Sequence, residues 1–264
     1  MREMDFTATL AGVARTGDGF TAHLAPNWVQ GRAGFGGLVA ALGLAAIRAD
    51  SGLDWTLRSL SVAFVGPAVG DLSIQVRKLR QGRTAAFWQA DLLAGGEVGT
   101  TVTACLGPDR ESRARCVDDR MPTVPAPDDC MAMPFLEGIV PTFLKNLDVR
   151  MAAGTIFDGS GSRDLIWWVR HRDTAAWGTE AGFIGLLDTL PPAAAGMIRG
   201  PFPLSSLTWM VDLPGTGFDT ADGWYLLRST TDYAGNGFTG QAMEAWSRDG
   251  RLVARHRQMV AMFA

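Results

Sequence analysis

Apolar and polar positions along the chain fall into one series of patterns that is used twice. In the first half, the run Phe20 to Leu24 predicts a strand. The run Phe35 to Asp50, apolar almost throughout and rich in Ala and Gly, predicts a buried helix. Runs rich in apolar and β-branched residues recur at 57–65, 72–79, 84–93 and 98–106. Gly66-Pro67, Gln81-Gly82 and Gly95-Gly96 punctuate them, so strands joined by turns are predicted. The second half repeats this order, with a strand over 165–172 and a helix over 174–190 stopped by Pro191-Pro192. Strands over 206–213, 224–231, 240–247 and 252–263 follow, and Asp249-Gly250 marks a hairpin between the last two.

Short sequence matches keep the same order. Leu57-Arg58-Ser59-Leu60-Ser61 lines up with Leu204-Ser205-Ser206-Leu207-Thr208, and Pro67 with Pro214, both at an offset of 147. Gly95 to Gly99 lines up with Gly250 to Ala254 at an offset of 155, which a longer loop through 215–223 accounts for. Matches in one order, with the same elements between them, argue for a duplicated unit. Residues 107–134 differ from both halves, carrying five prolines with clustered Asp and Arg, and read as a connector. The expected division is an N-terminal domain over 1–107, a linker over 108–134 and a C-terminal domain over 135–264. One helix against an antiparallel sheet, repeated, is an α+β arrangement in which each sheet wraps its helix.

Composition narrows the function classes. With 264 residues, 47% apolar and 19% charged, the chain can build a substantial core. A net charge of -3 without basic runs gives no electrostatic footprint for nucleic acid or an anionic membrane. The first residues lack a signal peptide's apolar run, and no stretch of about 18 apolar residues could span a bilayer. Three cysteines, Cys105, Cys116 and Cys130, form no metal-binding pair and are odd in number, which fits a reducing cytoplasm. No Gly-x-Ser-x-Gly elbow occurs, and His23, His171 and His256 are the only histidines, so neither a serine hydrolase nor a zinc site is expected.

Candidate chemistry gathers in the second half. On the helix over 174–190, Asp188 falls on or beside the apolar face with Ala181, Ile184 and Leu187. Burial there would raise its pKa and suit it to deprotonating water; a satisfied carboxylate near the helix end is the equally open alternative. Gln258 lies between apolar neighbours on the last strand, either holding water or pairing with backbone. The helix over 36–47 has no carboxylate, and the offset of 155 puts Thr103 in the place of Gln258. Asp232 reads as a surface turn residue. Gly36 and Gly37 put backbone amides at a helix start, where a ligand carbonyl or phosphate could be met. Asp18 and His23 have the Asp-x4-His spacing of hotdog hydratases, but His23 sits in a strand rather than on a helix.

With these residues in hand, the chain resembles the acyl-CoA thioesterase II (TesB-like) family of double-hotdog proteins. The likeness rests on Gly34-Phe35-Gly36-Gly37-Leu38-Val39, Leu187-Asp188-Thr189-Leu190-Pro191-Pro192, and Asp249-Gly250-Arg251-Leu252-Val253-Ala254 followed by Gln258. It implies two fused hotdog repeats, an acyl-CoA substrate, no metal or redox cofactor, and a homodimer or larger homo-oligomer. It also implies a water held by an Asp, a Thr or Ser, and a Gln. Asp188 and Gln258 match two of these, while the hydroxyl position falls on Leu204, with Ser206 as the preferred substitute and Ser205 beside it. The sheets of such a fold are expected to have long edges that favour pairing. An acyl-CoA- or acyl-carrier-binding hotdog protein without efficient catalysis and a hotdog enoyl-CoA hydratase are the alternative functions.

Overall fold

The two runs predicted as helices lie at the centre of the molecule, which is described by a computed structural model covering residues 3–114, 116, 118, 120–215 and 217–264. The first half opens with α1 (Phe6–Ala11), the hairpin β1 (Ala14–Thr16) and β2 (Gly19–Leu24), and the small ribbon β3 (Val29–Gln30) and β4 (Ala33–Gly34). Then come α2 (Gly36–Ser51), β5 (Thr56–Phe64), β6 (Gly70–Gln81), β7 (Ala86–Ala94) and β8 (Glu97–Gly107). The second half supplies β9 (Met131–Ala132), β10 (Leu147–Ala153), β11 (Asp164–His171) and α3 (Glu180–Leu187). It ends with β12 (Leu204–Asp212), β13 (Tyr225–Gly235), β14 (Phe238–Ser247) and β15 (Leu252–Met262).

Thirteen of these strands form one antiparallel sheet in the order β1-β2-β6-β7-β8-β5-β12-β15-β14-β13-β11-β10-β9. The duplicated units therefore join edge to edge, through β5 and β12. Val62 and Trp209 face each other across that junction. They are also 147 residues apart, the offset of the repeat, so a pseudo-twofold axis passes between them. Both side chains are buried on the helix side of the sheet.

α2 buries eleven of its residues, as a helix apolar on all sides must. It packs against α3, and the approach is close: a Cβ on Gly37 would sit 2.2 Å from the Gly185 carbonyl oxygen. α3 is shorter than the pattern over 174–190 predicts. Thr174–Ala176 form only a 3-10 turn, Gly178 takes φ +68°, and Thr179 starts the helix by accepting the Gly182 N–H at 3.0 Å. Asp188 and Thr189 lie just past its end.

A further feature differs from expectation. β9 lies inside the stretch read as a connector and pairs with β10, while Cys130 beside it packs with Trp168, Trp224 and Trp246. The sheet ends in strands of three and two residues, β1 and β9, which cover only part of their neighbours: β6 pairs with β2 over residues 70–74 alone, and its residues 75–81 form an open edge on that side.

Replacing Gly37 by Ala forces the two helices apart against backbone, not against a flexible side chain. The expected cost is about 3 kcal/mol, the upper range for overpacking, read as a lower urea midpoint at unchanged slope.

Candidate active site

The helix pair has two ends, and they are built in opposite ways. At one end, Arg48 of α2 meets Glu180 of α3 in a two-pronged ion pair at 2.8 and 2.6 Å. At the other end, the start of α2 meets the end of α3, and the carboxylate found there has no cation beside it. That carboxylate is Asp188, 8% exposed. It accepts the backbone N–H of Gly37 and, at 2.5 Å, the Nε2 group of Gln258. A Cβ on Gly36 would lie 2.5 Å from Asp188 Oδ2 and 2.9 Å from the Phe64 ring, so the glycine pair is what lets the carboxylate approach. Burial pushes the Asp188 pKa up to about 7, against the opposing pull of the bonds from Gln258 and Gly37.

Gln258 is itself held. Its Oε1 accepts from Gln241 Nε2 at 3.0 Å, and Gln241 Oε1 accepts from the Ser229 hydroxyl at 2.8 Å and the Ala193 N–H at 3.3 Å. All of these groups are buried. Sequence reasoning missed Gln241 and Ser229. Gln241 pairs with Gln258 across β14 and β15, a register reached through the turn at residues 248–250 and an irregularity at Ala245/Trp246.

Structural register also corrects the counterpart of Gln258 in the first half. Val62 pairs with Val102, and Trp209 pairs with Gln258, so Val102 rather than Thr103 takes its place. Continuing outward, Ala90 answers Gln241 and Val76 answers Thr231. Thr103 flanks Val102 and points to the opposite face, lining a groove of about 520 Å³ with Ser61, Thr208, Met210 and Arg257. That groove and the carboxylate are on opposite sides of the sheet.

Ser206 is half-buried opposite Val260, one row from Gln258 on the same face, and its hydroxyl has no hydrogen bond among the described residues. Ser205 is exposed on the other face. Gly37 gives its N–H to Asp188, whereas the N–H of Gly36, first residue of α2, has no partner among the described residues. Asp18 lies in the exposed β1–β2 turn, and His23 pairs with Asp71 at 2.7 Å, so those two do not meet each other. Asp232 ion-pairs with Arg257. Among the described residues, no cluster of three His, Cys, Asp or Glu is placed to hold a metal ion, and no helix is long and apolar enough to cross a membrane.

This arrangement can hold a water and take a proton from it. Comparison with known proteins decides the family. The pattern of the acyl-CoA thioesterase N-terminal domain matches residues 24–107, and that of the C-terminal domain matches residues 127–262. The chain belongs to the acyl-CoA thioesterase family. Its fold is the α+β double hotdog of TesB-like thioesterases. A hot dog fold protein of unknown function from Alicyclobacillus acidocaldarius superposes with a TM-score of 0.87 at 27% identity, over 98% of both chains. Acyl-CoA thioesterase II TesB2 from Mycobacterium marinum gives 0.72 at 19% identity, over 96% of both chains. The tesB protein of Mycobacterium avium subs paratuberculosis gives 0.77 at 16%, over 98% of both. No curated protein sequence matches the chain.

Titration of this acyl-CoA thioesterase family member follows from three buried groups. The Asp188 carboxyl is raised, so its stabilising contribution is complete below pH ~4, the unfolded value, and is lost as pH climbs through about 7. Burial depresses His171 to about 4 and His256 to about 3, so their contribution is complete above ~6.5 and is lost as pH falls toward those values. Asp188→Asn removes only the first of these. The stability difference between variant and wild type is expected to move in the variant's favour by a few kcal/mol between pH 4 and 8, on the order set by the shift. Chemical denaturation at both pH values measures it.

Proposed function

We propose that the protein hydrolyses acyl-CoA to free acid and CoA by direct attack of a water molecule, with Asp188 as the base. The observation that supports this most is the buried Asp188 carboxyl, raised to about 7 and fixed between the Gly37 N–H and the Gln258 amide. A base with such a pKa is ionised in a useful fraction near neutrality, yet binds a proton strongly enough to draw one from water.

Asp188 takes a proton from the water as its oxygen bonds to the thioester carbon, and the carbonyl oxygen becomes an oxyanion. The Gly36 N–H, first in α2, would be the donor that meets that charge, a role worth about 3 kcal/mol when removed in comparable sites. Collapse of the intermediate breaks the carbon–sulfur bond. The CoA thiolate leaves with the electron pair and recovers the proton from Asp188. Gln258 keeps one N–H on Asp188 and has a second for the water, and Ser206, on the same face, offers a supporting hydroxyl. No acyl-enzyme forms, and none of these steps calls on a metal or redox cofactor. The site would work in a homo-oligomer, as the family resemblance implies, and in the reducing cytoplasm that the three cysteines fit.

Free thiol release from short, medium, long and aromatic acyl-CoAs tests the proposal. kcat/KM for the preferred substrate is expected to rise with pH through about 7 and level off above it, because only ionised Asp188 accepts a proton. Asp188→Asn should lose at least ~100-fold in kcat and the rising limb with it. Full activity in Asp188→Asn, or no thiol release by wild type from any member of the panel, rejects the reading.

A further inference from the structure

We infer that Gln241 is a positioning residue of this site, setting which end of the Gln258 side-chain amide faces Asp188. The inference rests on the reading of Asp188 as the base. A side-chain amide has a donor end and an acceptor end that exchange by a half-turn. An N–H aimed at the carboxyl favours its ionised form, and a carbonyl aimed at it favours the protonated form. Nothing in Gln258 alone chooses between them.

The choice is made from a group that can only donate. The backbone N–H of Ala193 faces Gln241 at 3.3 Å and fixes that atom as the carbonyl oxygen; the Ser229 hydroxyl donates to the same oxygen at 2.8 Å. With its carbonyl end held, Gln241 turns Nε2 to Gln258 Oε1, which leaves Gln258 Nε2 facing Asp188 Oδ1. Ala193 lies just beyond Pro191-Pro192, so the hydrogen bonds and the turn after Asp188 close into a ring. Ser229, Gln241 and Ala193 are at most 1% exposed, and bulk water cannot offer a flipped amide an alternative partner.

Other charges do not make the choice. α2 carries Arg48 and Asp50, and α3 carries Glu180, all at the far end of the helix pair. β15 places His256 on this face, bonded to Trp209 Nε1, with Arg255 and Arg257 on the other. β14 carries Glu244, which pairs with Arg255; β13 carries Arg228 and Asp232, each with its own ion pair. β5 carries Arg58, paired with Asp109, and β12 carries Asp212 on the exposed face. His171 of β11 is spent on the Gly182 carbonyl. No Coulombic partner contributes to the raised Asp188 value.

Gln241→Glu preserves shape and reverses the sense of the chain. The new carboxylate accepts from Ala193 and Ser229 and still needs a donor, so Gln258 must turn its N–H groups toward it and its carbonyl toward Asp188. Gln241→Met removes the constraint without adding charge and so separates orientation from Coulombic repulsion. The Asp188 carboxyl is titrated directly by 13C NMR, assigned by its loss in Asp188→Asn, beside the pH profile of thiol release. Its midpoint is expected to rise by about one pH unit or more in Gln241→Glu, a tenfold loss of the ionised form well below the midpoint, and by less in Gln241→Met. kcat should follow the midpoint and recover above it, with KM unchanged. Ser229→Ala, which leaves the Ala193 donor, should shift it least, and serves with Gln241→Met if the Glu variant does not fold. An unmoved midpoint in Gln241→Met, with activity lost only in step with thermal stability, overturns the inference. A midpoint shifted as expected in a protein that releases no thiol supports the positioning role and rejects the hydrolase reading instead. Turnover with no shift in any variant rejects the positioning role alone.

Discussion

A carboxylate held inside the protein without a counter-charge is the constraint on which this structure turns. An isolated buried charge is costly, and the ordinary remedies are a cation or protonation. Here the remedy is a set of neutral donors in fixed positions: the Gly37 N–H and the Gln258 amide, backed by Gln241, Ser229 and Ala193. Each demands something of the packing. Gly36 and Gly37 must lack side chains for α2 to reach both Asp188 and Gly185. Gln241 and Gln258 must sit directly opposite each other on β14 and β15. The turn after α3 must bring Ala193 back onto the sheet.

Duplication of the unit makes the comparison internal. The Arg48–Glu180 end shows what the helix pair does when its acid is met by a cation: a carboxylate about a quarter exposed, committed to a guanidinium. At the Asp188 end the same helix crossing leaves the acid buried and poised near neutrality. The sheet divides in the same way. Across one row, the second half presents Thr231, Gln241 and Gln258, and the first half presents Val76, Ala90 and Val102. Apolar residues need no partners and pack without register demands on hydrogen bonds, so one half supports and the other carries the polar chain. The two units are thus equivalent as scaffold and unequal as chemistry.

Order and type of the central elements were legible in the residues, because periodicity and turn residues are local, whereas α1, β1, β9 and β10 were not read. The buried helix over 35–50 and the hairpins at Gly95-Gly96 and Asp249-Gly250 needed nothing from the rest of the chain. Even the fusion of the two units was implicit in the offset of 147, which turns out to pass through the Val62–Trp209 pair. Where local reasoning erred, a tertiary cause is visible. Gly178 and the Thr179 cap cut the second helix short, and the sequence match at an offset of 155 stands one residue off the strand register, which pairs Val62 with Val102 and Trp209 with Gln258 and so makes Val102 the counterpart instead of Thr103. One residue of slip exchanges the faces of a strand, and no count of offsets reveals it.

By itself, the sequence determined the α+β architecture, the duplication, and the presence of Asp188 and Gln258 on elements with apolar neighbours, since these follow from pattern and residue type. The tertiary structure alone decided that Asp188 is buried at the start of α2 rather than satisfied at the surface, because burial depends on what packs over a residue. It alone brought Gln241, Ser229 and Ala193 into one directed chain with Gln258. A hydrogen bond acquires its sense from the partners on both sides, and here those partners are 12 to 48 residues apart along the chain.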